Sequence, residues 1–246
     1  MNIESLLRSY PRVRPPLTAE HARIHEEHYR LKRDGAQPID SLAQRLELWM
    51  HRQVAKGTGG PVFEFGAGTL NHCRHERQSV TYDVVEPFHA LYQGRPEIAS
   101  VRDFFDSVHT IPPDHRYARI MSIAVLEHMD NLPRDMGRAA LHLSEGGMFQ
   151  AGIPSEGGFL SWLGWRFSTG ISYYIRTKLD YGVVMRHEHL NTAPEIVSVI
   201  GHLFSQVKVR RFPLPWHQTS FYAYVEASNP ILEHCNAVAD CPCVAA

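Results

Sequence analysis

Residues 61–71 read Pro-Val-Phe-Glu-Phe-Gly-Ala-Gly-Thr-Leu-Asn, and this stretch decides the fold. The apolar run Val62, Phe63 and Phe65 carries a carboxylate at Glu64 and then breaks into Gly66, Ala67 and Gly68. The two glycines permit a tight strand-to-helix turn and let a ligand lie against bare backbone. A dinucleotide fold asks for a further glycine where helix and strand pack closely. Here that position is Asn71. An acid two residues ahead of the first glycine would repel a pyrophosphate. It suits a ligand whose facing end is cationic, which favours S-adenosylmethionine, with its amino group and sulfonium, over NAD.

Outward from this turn, Val80–Val85 predicts a second strand ending in Glu86, 18 residues past Gly68. A carboxylate there can accept hydrogen bonds from both ribose hydroxyls. Ile98–Val101, followed by Arg102, Asp103 and Phe104, predicts a third strand. In that reading Asp103 meets the adenine amino group and Phe104 packs on the ring. Ala118–Ala124 predicts a fourth strand, running into Val125, Leu126, Glu127 and His128. Leu132 and Pro133 open a helix to about Leu143, and Gly146-Gly147 turns into a fifth strand, Met148–Ile153. Strands alternating with helix-length segments imply a parallel sheet with right-handed crossovers.

The ordered set Glu64–Thr69, Glu86, Asp103-Phe104, Ile123–His128 and Ser144–Met148 resembles the class I S-adenosylmethionine-dependent methyltransferases over roughly residues 60–155. The Val-Leu-Glu-His step looks like the small-molecule and ubiquinone-type branch. Leu70 departs from the family, many members of which carry a third glycine there. The resemblance implies an α/β, Rossmann-like methyltransferase fold: a mostly parallel seven-stranded sheet, helices on both faces, and an antiparallel C-terminal hairpin. Phe204–Phe212 and Ser220–Glu226 read as that hairpin. It also implies S-adenosyl-L-methionine as cofactor, with Glu64, Gly66, Gly68, Thr69, Glu86, Asp103, Phe104, Ala124 and Val125 around it.

A chain of 246 residues accommodates one domain of this kind with a sizeable core. Residues 1–60 read as a helical cap, 61–230 as the methyltransferase core and 231–246 as a C-terminal tail. Within the cap, Arg12–Leu17 is proline-broken. Thr18 caps a helix to about Arg33, closed by Gly35. Asp40 or Ser41 caps another, with Leu42, Leu46, Trp49 and Met50 on one face. These helices either cover the cofactor cleft or pad the sheet. With 25 Lys+Arg against 26 Asp+Glu, the net charge of −1 supplies no bulk field for nucleic acid or an anionic membrane. The N-terminus lacks a signal-peptide layout, no run of 18 apolar residues occurs, and four cysteines do not form a secreted disulfide framework. The expectation is a cytoplasmic enzyme with a small-molecule acceptor, no nucleic acid partner and no stable membrane insertion.

Residues 154–193 depart most from the family, and they fall where such enzymes build a substrate pocket. The segment carries Phe159, Trp162, Trp165, Phe167, Tyr173 and Tyr174, then Arg186-His-Glu-His-Leu-Asn191. Glu156, Trp165, Tyr173, Tyr181, Arg186 and Asn191 are the candidate substrate contacts; a cap with its own apolar core is the plainer alternative. A hydroxyl or protonated amine acceptor needs a base, and histidine serves near neutral pH. The candidates are His128, His187 and His189. No metal site is assigned. His187 and His189 alternate as a strand-borne ligand pair would, without an identifiable third ligand. His21, His25 and His28 read as a solvated helix face, and Cys241 and Cys243, after Cys235, as a frayed tail.

The chemistry expected is methyl transfer to O, or N, of a small-molecule or glycan-type metabolite, with a lean towards cell-surface polysaccharide or secondary biosynthesis. One alternative is a lipid-linked or quinone-like acceptor, favoured if Phe159, Leu160, Trp162, Leu163 and Trp165 form an exposed apolar patch. Another is a non-catalytic S-adenosylmethionine-binding regulatory module, whose pocket its own side chains would fill.

Overall fold

Strands that are apolar on both faces must be covered on both, and the segments between them supply the cover. In the computed structural model, which describes residues 2–24, 41–57, 59–76 and 80–240, β1 (Val62–Phe65) and β2 (Tyr82–Val85) are buried along their whole length. β3 (Asp103–Phe105), β4 (Tyr117–Ile123), β5 (Leu143–Pro154), β6 (Phe204–Pro213) and β7 (Ser220–Pro230) complete one seven-stranded sheet. Its order is β3-β2-β1-β4-β5-β7-β6. β1 to β5 run parallel, and β7 inserts antiparallel between β5 and β6. This is the sheet expected from the sequence, C-terminal hairpin included.

One face packs Phe63, Ile120, Phe149 and Val225 beneath α1 (Ile3–Leu7), α3 (Leu132–Ala140), α7 (Ala193–Leu203) and α8 (Leu232–Ala239). Helix α7 starts where Thr192 and Glu195 form a reciprocal capping box with Pro194 in the first turn. The other face packs Val62, Val84, Met121 and Tyr224 against Met50 and Val54 of α2 (Ser41–Val54). A Cβ added at Gly152 of β5 would lie 2.8 Å from Met50 Cβ, so the helix meets the strand at a bare glycine. This helix packs directly on the sheet. Among the described residues, no helix is long and apolar enough to cross a membrane.

Several boundaries differ from the sequence reading. Residues 96–100 form a 3-10 turn opened by Pro96, and β3 begins only at Asp103. The stretch after the glycine turn is a run of turns ending in a 3-10 segment, Cys73–His75, instead of a helix. Residues 232–239 are helical, and Cys235 is buried against α3, so this part of the tail belongs to the core. His21 is buried too, its Nε2–H donating to the Asp180 carbonyl at 3.0 Å. His25, His28, Arg33, Gly35, Cys241 and Cys243 lie outside the described residues.

Where a helix would ordinarily follow β1, a buried polar network holds the chain. Arg119 of β4 is 3% exposed. Its guanidinium donates to both Glu76 oxygens at 2.9 and 3.0 Å, to Gln150 Oε1 at 3.0 Å and to the Val54 carbonyl at 3.1 Å. His72 extends the network, with Nε2 3.0 Å from Glu76 and Nδ1 3.0 Å from His51 Nδ1. Burial alone would raise the Glu76 carboxyl, but hydrogen bonds from His72 and Arg119 and their charge bring it down to about 2.

Removing the countercharge from a buried guanidinium is costly, so Glu76→Ala should lose about 3–5 kcal/mol. The folded pKa of Glu76 lies below its unfolded value, so its contribution is complete above the ordinary carboxylate range and is lost as pH falls towards 2. Denaturant melts between neutral and acid pH should therefore show the variant losing less further stability on acidification than the wild type. Parallel acid profiles would remove Glu76 from this account.

Candidate active site

The sheet's C-terminal edge gathers the candidate residues. Gly66 and Gly68 have φ of +72° and +52°, a region open to glycine and strained for other residues. A Cβ on Gly66 would strike Val125 Cγ1 at 2.4 Å. A Cβ on Gly68 would meet nothing within 4 Å, so bare backbone there faces open space. Leu70, at the family's third glycine, keeps the glycine-like backbone with φ +60°, while its side chain is wholly buried. Left-handed backbone costs a branched residue roughly 1–2 kcal/mol, which burying the isobutyl group offsets. Thr69 follows in the same turn, and Ala124, with φ +54°, ends β4 opposite the loop.

Glu86 follows β2 and is fastened at both oxygens. Oε2 accepts from the Gly68 N–H at 2.8 Å, and Oε1 from the Phe88 N–H at 2.9 Å. Phe88 beside it is 61% exposed, an aromatic face the sequence reading passed over. Glu64 lies beneath the loop, 3% exposed, its carboxylate accepting from the Tyr82 hydroxyl and its pKa pushed up by burial. It does not open directly onto the space in front of Gly68.

Asp103 requires a correction. It is the first residue of β3, in register with Asp83 and paired with Arg102 Nε at 3.0 Å. That is the opposite end of the strand from Glu86. The acid just past β3's last residue is Asp106, 2.7 Å from His89 Nε2. Phe104 stacks on Tyr92, with centroids 4.5 Å apart.

A second group of side chains begins where β4 ends. Val125, which closes on Gly66, leads into Leu126–His128. The His128 ring packs edge-on against His189, with centroids 4.8 Å apart, and its Nδ1–H donates to the Glu188 carbonyl at 2.8 Å. Burial holds His128 below the usual imidazole range despite that bond. His189 Nδ1 lies 3.1 Å from Glu156 Oε1, beyond the end of β5. Burial works against the charged ring, but the Glu156, Glu127 and Glu188 carboxylates outweigh it and raise the His189 pKa. Glu127 is 1% exposed, and its Oε2 has no hydrogen-bond partner. Burial pushes this carboxyl up to about 7; the sequence carried it only as part of the Val-Leu-Glu-His step, with no role of its own.

Of these groups, His189 and Glu156 border a cavity of about 540 Å³, which Phe159, Trp162, Arg186 and Gln218 also line. Of the candidate contacts, Glu156 and Arg186 face it. Asn191 also borders it, but its amide donates to the Leu126 and Met129 carbonyls at 2.9 and 2.8 Å, and its oxygen accepts from Tyr10 at 2.7 Å. That amide locks the turn after β4 in place. Tyr173 and Tyr181 build a small core with Ile24 and Val184, the plainer alternative for these two. Trp165 lies in helix α4 (Phe159–Trp165), and its side chain is outside the described set.

His187 parts from His189 because residues 181–188 form helix α6, which breaks the strand-like alternation. Half-buried, it donates from Nδ1 to the Pro15 carbonyl at 2.7 Å. Among the described residues, no three His, Cys, Asp or Glu side chains are grouped to hold a metal ion.

Bare backbone at Gly68 and a carboxylate at the tip of β2 fit the adenosyl end of S-adenosylmethionine. Gly68→Val should abolish S-adenosylhomocysteine binding by calorimetry while the protein still folds, its melting temperature lowered by a β-branched residue at positive φ. Glu86→Ala should weaken binding by about 1–3 kcal/mol, because the loop loses its anchor together with the ligand contact. Wild-type affinity in both variants would place the cofactor elsewhere.

Comparison with known proteins agrees with the geometry. A family model described as a methyltransferase domain matches residues 35–181, more than half of the chain. No curated protein sequence matches significantly. Among solved structures, a SAM-dependent methyltransferase from Thermotoga maritima superposes with a TM-score of 0.53 at 15% identity, covering 83% of this chain and 96% of that one. The plantazolicin methyltransferase BpumL, solved with S-adenosylhomocysteine, gives 0.52 at 10% identity over 75% and 82%. An O-methyltransferase family protein from Burkholderia thailandensis gives 0.51 at 13% identity over 76% of this chain, which spans only 56% of that protein. The glycine turn, the acid at the tip of β2, the inserted antiparallel strand and the family match lead to one conclusion: the chain belongs to the class I S-adenosylmethionine-dependent methyltransferases.

Proposed function

We propose that the chain methylates an oxygen of a polar, glycan-type small molecule held in the cavity beside His189. Bound S-adenosylmethionine presents its methyl on an already activated sulfonium, so the protein's part is to position, exclude water and accept a proton. The open cavity runs against a purely regulatory module, whose pocket would be filled from within.

The observation that carries the reading is the Glu156–His189 pair, set against the turn that begins at Val125. Val125 packs on Gly66, so the cradle and the cavity meet at that turn. With Nδ1 set 3.1 Å from Glu156, a charge contact without an aligned hydrogen bond, Nε2 of His189 is the nitrogen left to take a hydroxyl proton as the acceptor oxygen forms its bond to carbon. Arg186 supplies charge for a polar acceptor, and Glu127 sets the field on His189 from the sheet side. On the cofactor side, Glu86 serves the ribose, Asp106 takes the adenine role first given to Asp103, and Phe88 offers its face to the ring. Glu64 supports the loop from below.

A specific observation favours a second reading, in which the same polar group is carried on a lipid. The aromatic residues at the cavity mouth are exposed, Phe159 at 59% and Trp162 at 43%.

The pair is tested by His189→Gln and Glu156→Gln, assayed with labelled methyl donor. Loss of the base should lower turnover on the order of 10²–10⁴-fold with cofactor affinity unchanged. A raised His189 pKa means that turnover climbs with pH through a value above the usual imidazole range. Glu156→Gln removes the charge that stabilises the imidazolium, so this limb should move to lower pH. Unchanged turnover in both variants would remove the pair from catalysis and leave His128 as the candidate base.

A further inference from the structure

The segment 159–178 reads Phe-Leu-Ser-Trp-Leu-Gly-Trp-Arg-Phe-Ser-Thr-Gly-Ile-Ser-Tyr-Tyr-Ile-Arg-Thr-Lys and contains no Asp or Glu. It is helical throughout: α4, a π-helical turn at Arg166–Gly170, and α5 (Ile171–Thr177). Its inner side rests on the fold, with Tyr173 in the small core and Gly164 close to the Phe221 ring. Its outer side inverts the usual pattern of a surface helix. Phe159, Trp162, Phe167, Ile171, Tyr174 and Ile175 lie 43–64% exposed at helical spacing. The cations sit on the same stripe, the Arg166 guanidinium 5.6 Å from the Trp162 ring and Lys178 Nζ 5.6 Å from the Tyr174 ring.

Large aromatic and aliphatic side chains facing water, interleaved with cations and free of acids, are the composition of a helix lying in a lipid headgroup layer. The stripe also borders the acceptor site. Phe159, Trp162 and Arg166 line the 540 Å³ cavity, and a mostly apolar niche of about 340 Å³ beside it is lined by Ile171, Tyr174 and Leu179. Arg166 and Asp180 belong to both.

We infer that residues 159–178 dock on an anionic membrane surface, so that a lipid-borne acceptor can pass its polar head into the cavity while its apolar part stays at the stripe. This rests on the second reading above and gives it a location. With the overall charge only −1, attraction comes from Arg166, Arg176 and Lys178 locally and is sensitive to salt.

The test is cosedimentation of the full chain with vesicles of phosphatidylcholine alone, and with equal parts of phosphatidylcholine and phosphatidylglycerol. The protein should partition onto the anionic vesicles and be released by salt. Phe167→Ser combined with Ile175→Ser should cut partitioning at least about tenfold, since two apolar anchors leave the layer. Arg176→Glu combined with Lys178→Glu should erase the preference for anionic lipid. S-adenosylhomocysteine affinity, read by calorimetry on the same samples, should stay at wild type in every variant, which separates failure of docking from failure of the methyltransferase site. Absence of binding to either vesicle, or equal binding by the serine variant, would overturn the inference. So would lipid-free self-association that the serine variant abolishes, because the stripe would then be an interface between copies of the chain.

Discussion

A guanidinium buried in the sheet sets the terms for everything around it. Arg119 points from β4 into the layer between the sheet and α2, where an unpaired charge could not persist. Its four hydrogen bonds reach three separate parts of the chain: Glu76 in the loop after the glycine turn, the end of α2, and β5. Because those partners satisfy it together, the loop at residues 66–76 needs no helix of its own to stay down. Even the backbone cooperates, since a Cβ at Gly57 would lie 2.2 Å from Arg119 Nε. An electrostatic requirement does the work that helix packing does elsewhere in such folds. It leaves the turn held from below, with Gly66 closed by Val125 and Gly68 open above.

From that loop the two halves of the site are joined by contact. Val125 closes on Gly66, the turn after β4 carries Glu127 and His128, and His128 packs on His189. Glu127 is the most costly member, a carboxyl without full hydrogen bonding beneath two imidazoles. Burial raises its pKa to about 7, well above the ordinary carboxylate range. Its folded pKa exceeds the unfolded one, so its contribution to stability is greatest below the ordinary carboxylate range and is lost as pH rises through about 7. The fold bears that cost at the junction of cradle and cavity, where strain of this kind concentrates.

How far the sequence could be read follows from the range of the forces involved. Strand-turn-helix periodicity and glycine chemistry are local, and with them came the sheet, the turn at Gly66–Gly68 and the acid at Glu86. Asp103 fell at the start of β3 instead of its end because the strand keeps only three residues. A proline-started 3-10 turn took the apolar run Ile98–Val101, sliding the strand forward and leaving Asp106 as the acid just past its end. The pairing of His187 with His189 failed because Asp180 caps a helix, accepting from the Gly182 N–H at 2.9 Å, and a helix separates residues two apart. Arg119, Glu127 and the inward-turned Tyr173 and Tyr181 had no local signature. Their roles come from partners far along the chain.

The N-terminal segment shows the same long-range logic. Residues 10–17, proline-broken and without regular structure, lie across the end of α6 and the start of α7. Arg14 donates to the carbonyls of His128, His187 and Glu188, and Arg12 to that of Leu190 and to the Glu195 carboxylate. Carbonyls at a helix C-terminus lack partners within the helix and carry its negative end, so cations placed there are favourable. The effect on His189, which directly follows α6, is one of placement: its neighbours on both sides are tied through their backbones. The strap's cations thus go to carbonyls, to Glu195 and to Asp130, 3.2 Å from Arg14. Glu156, 3.1 Å from His189 Nδ1, is left to that imidazole.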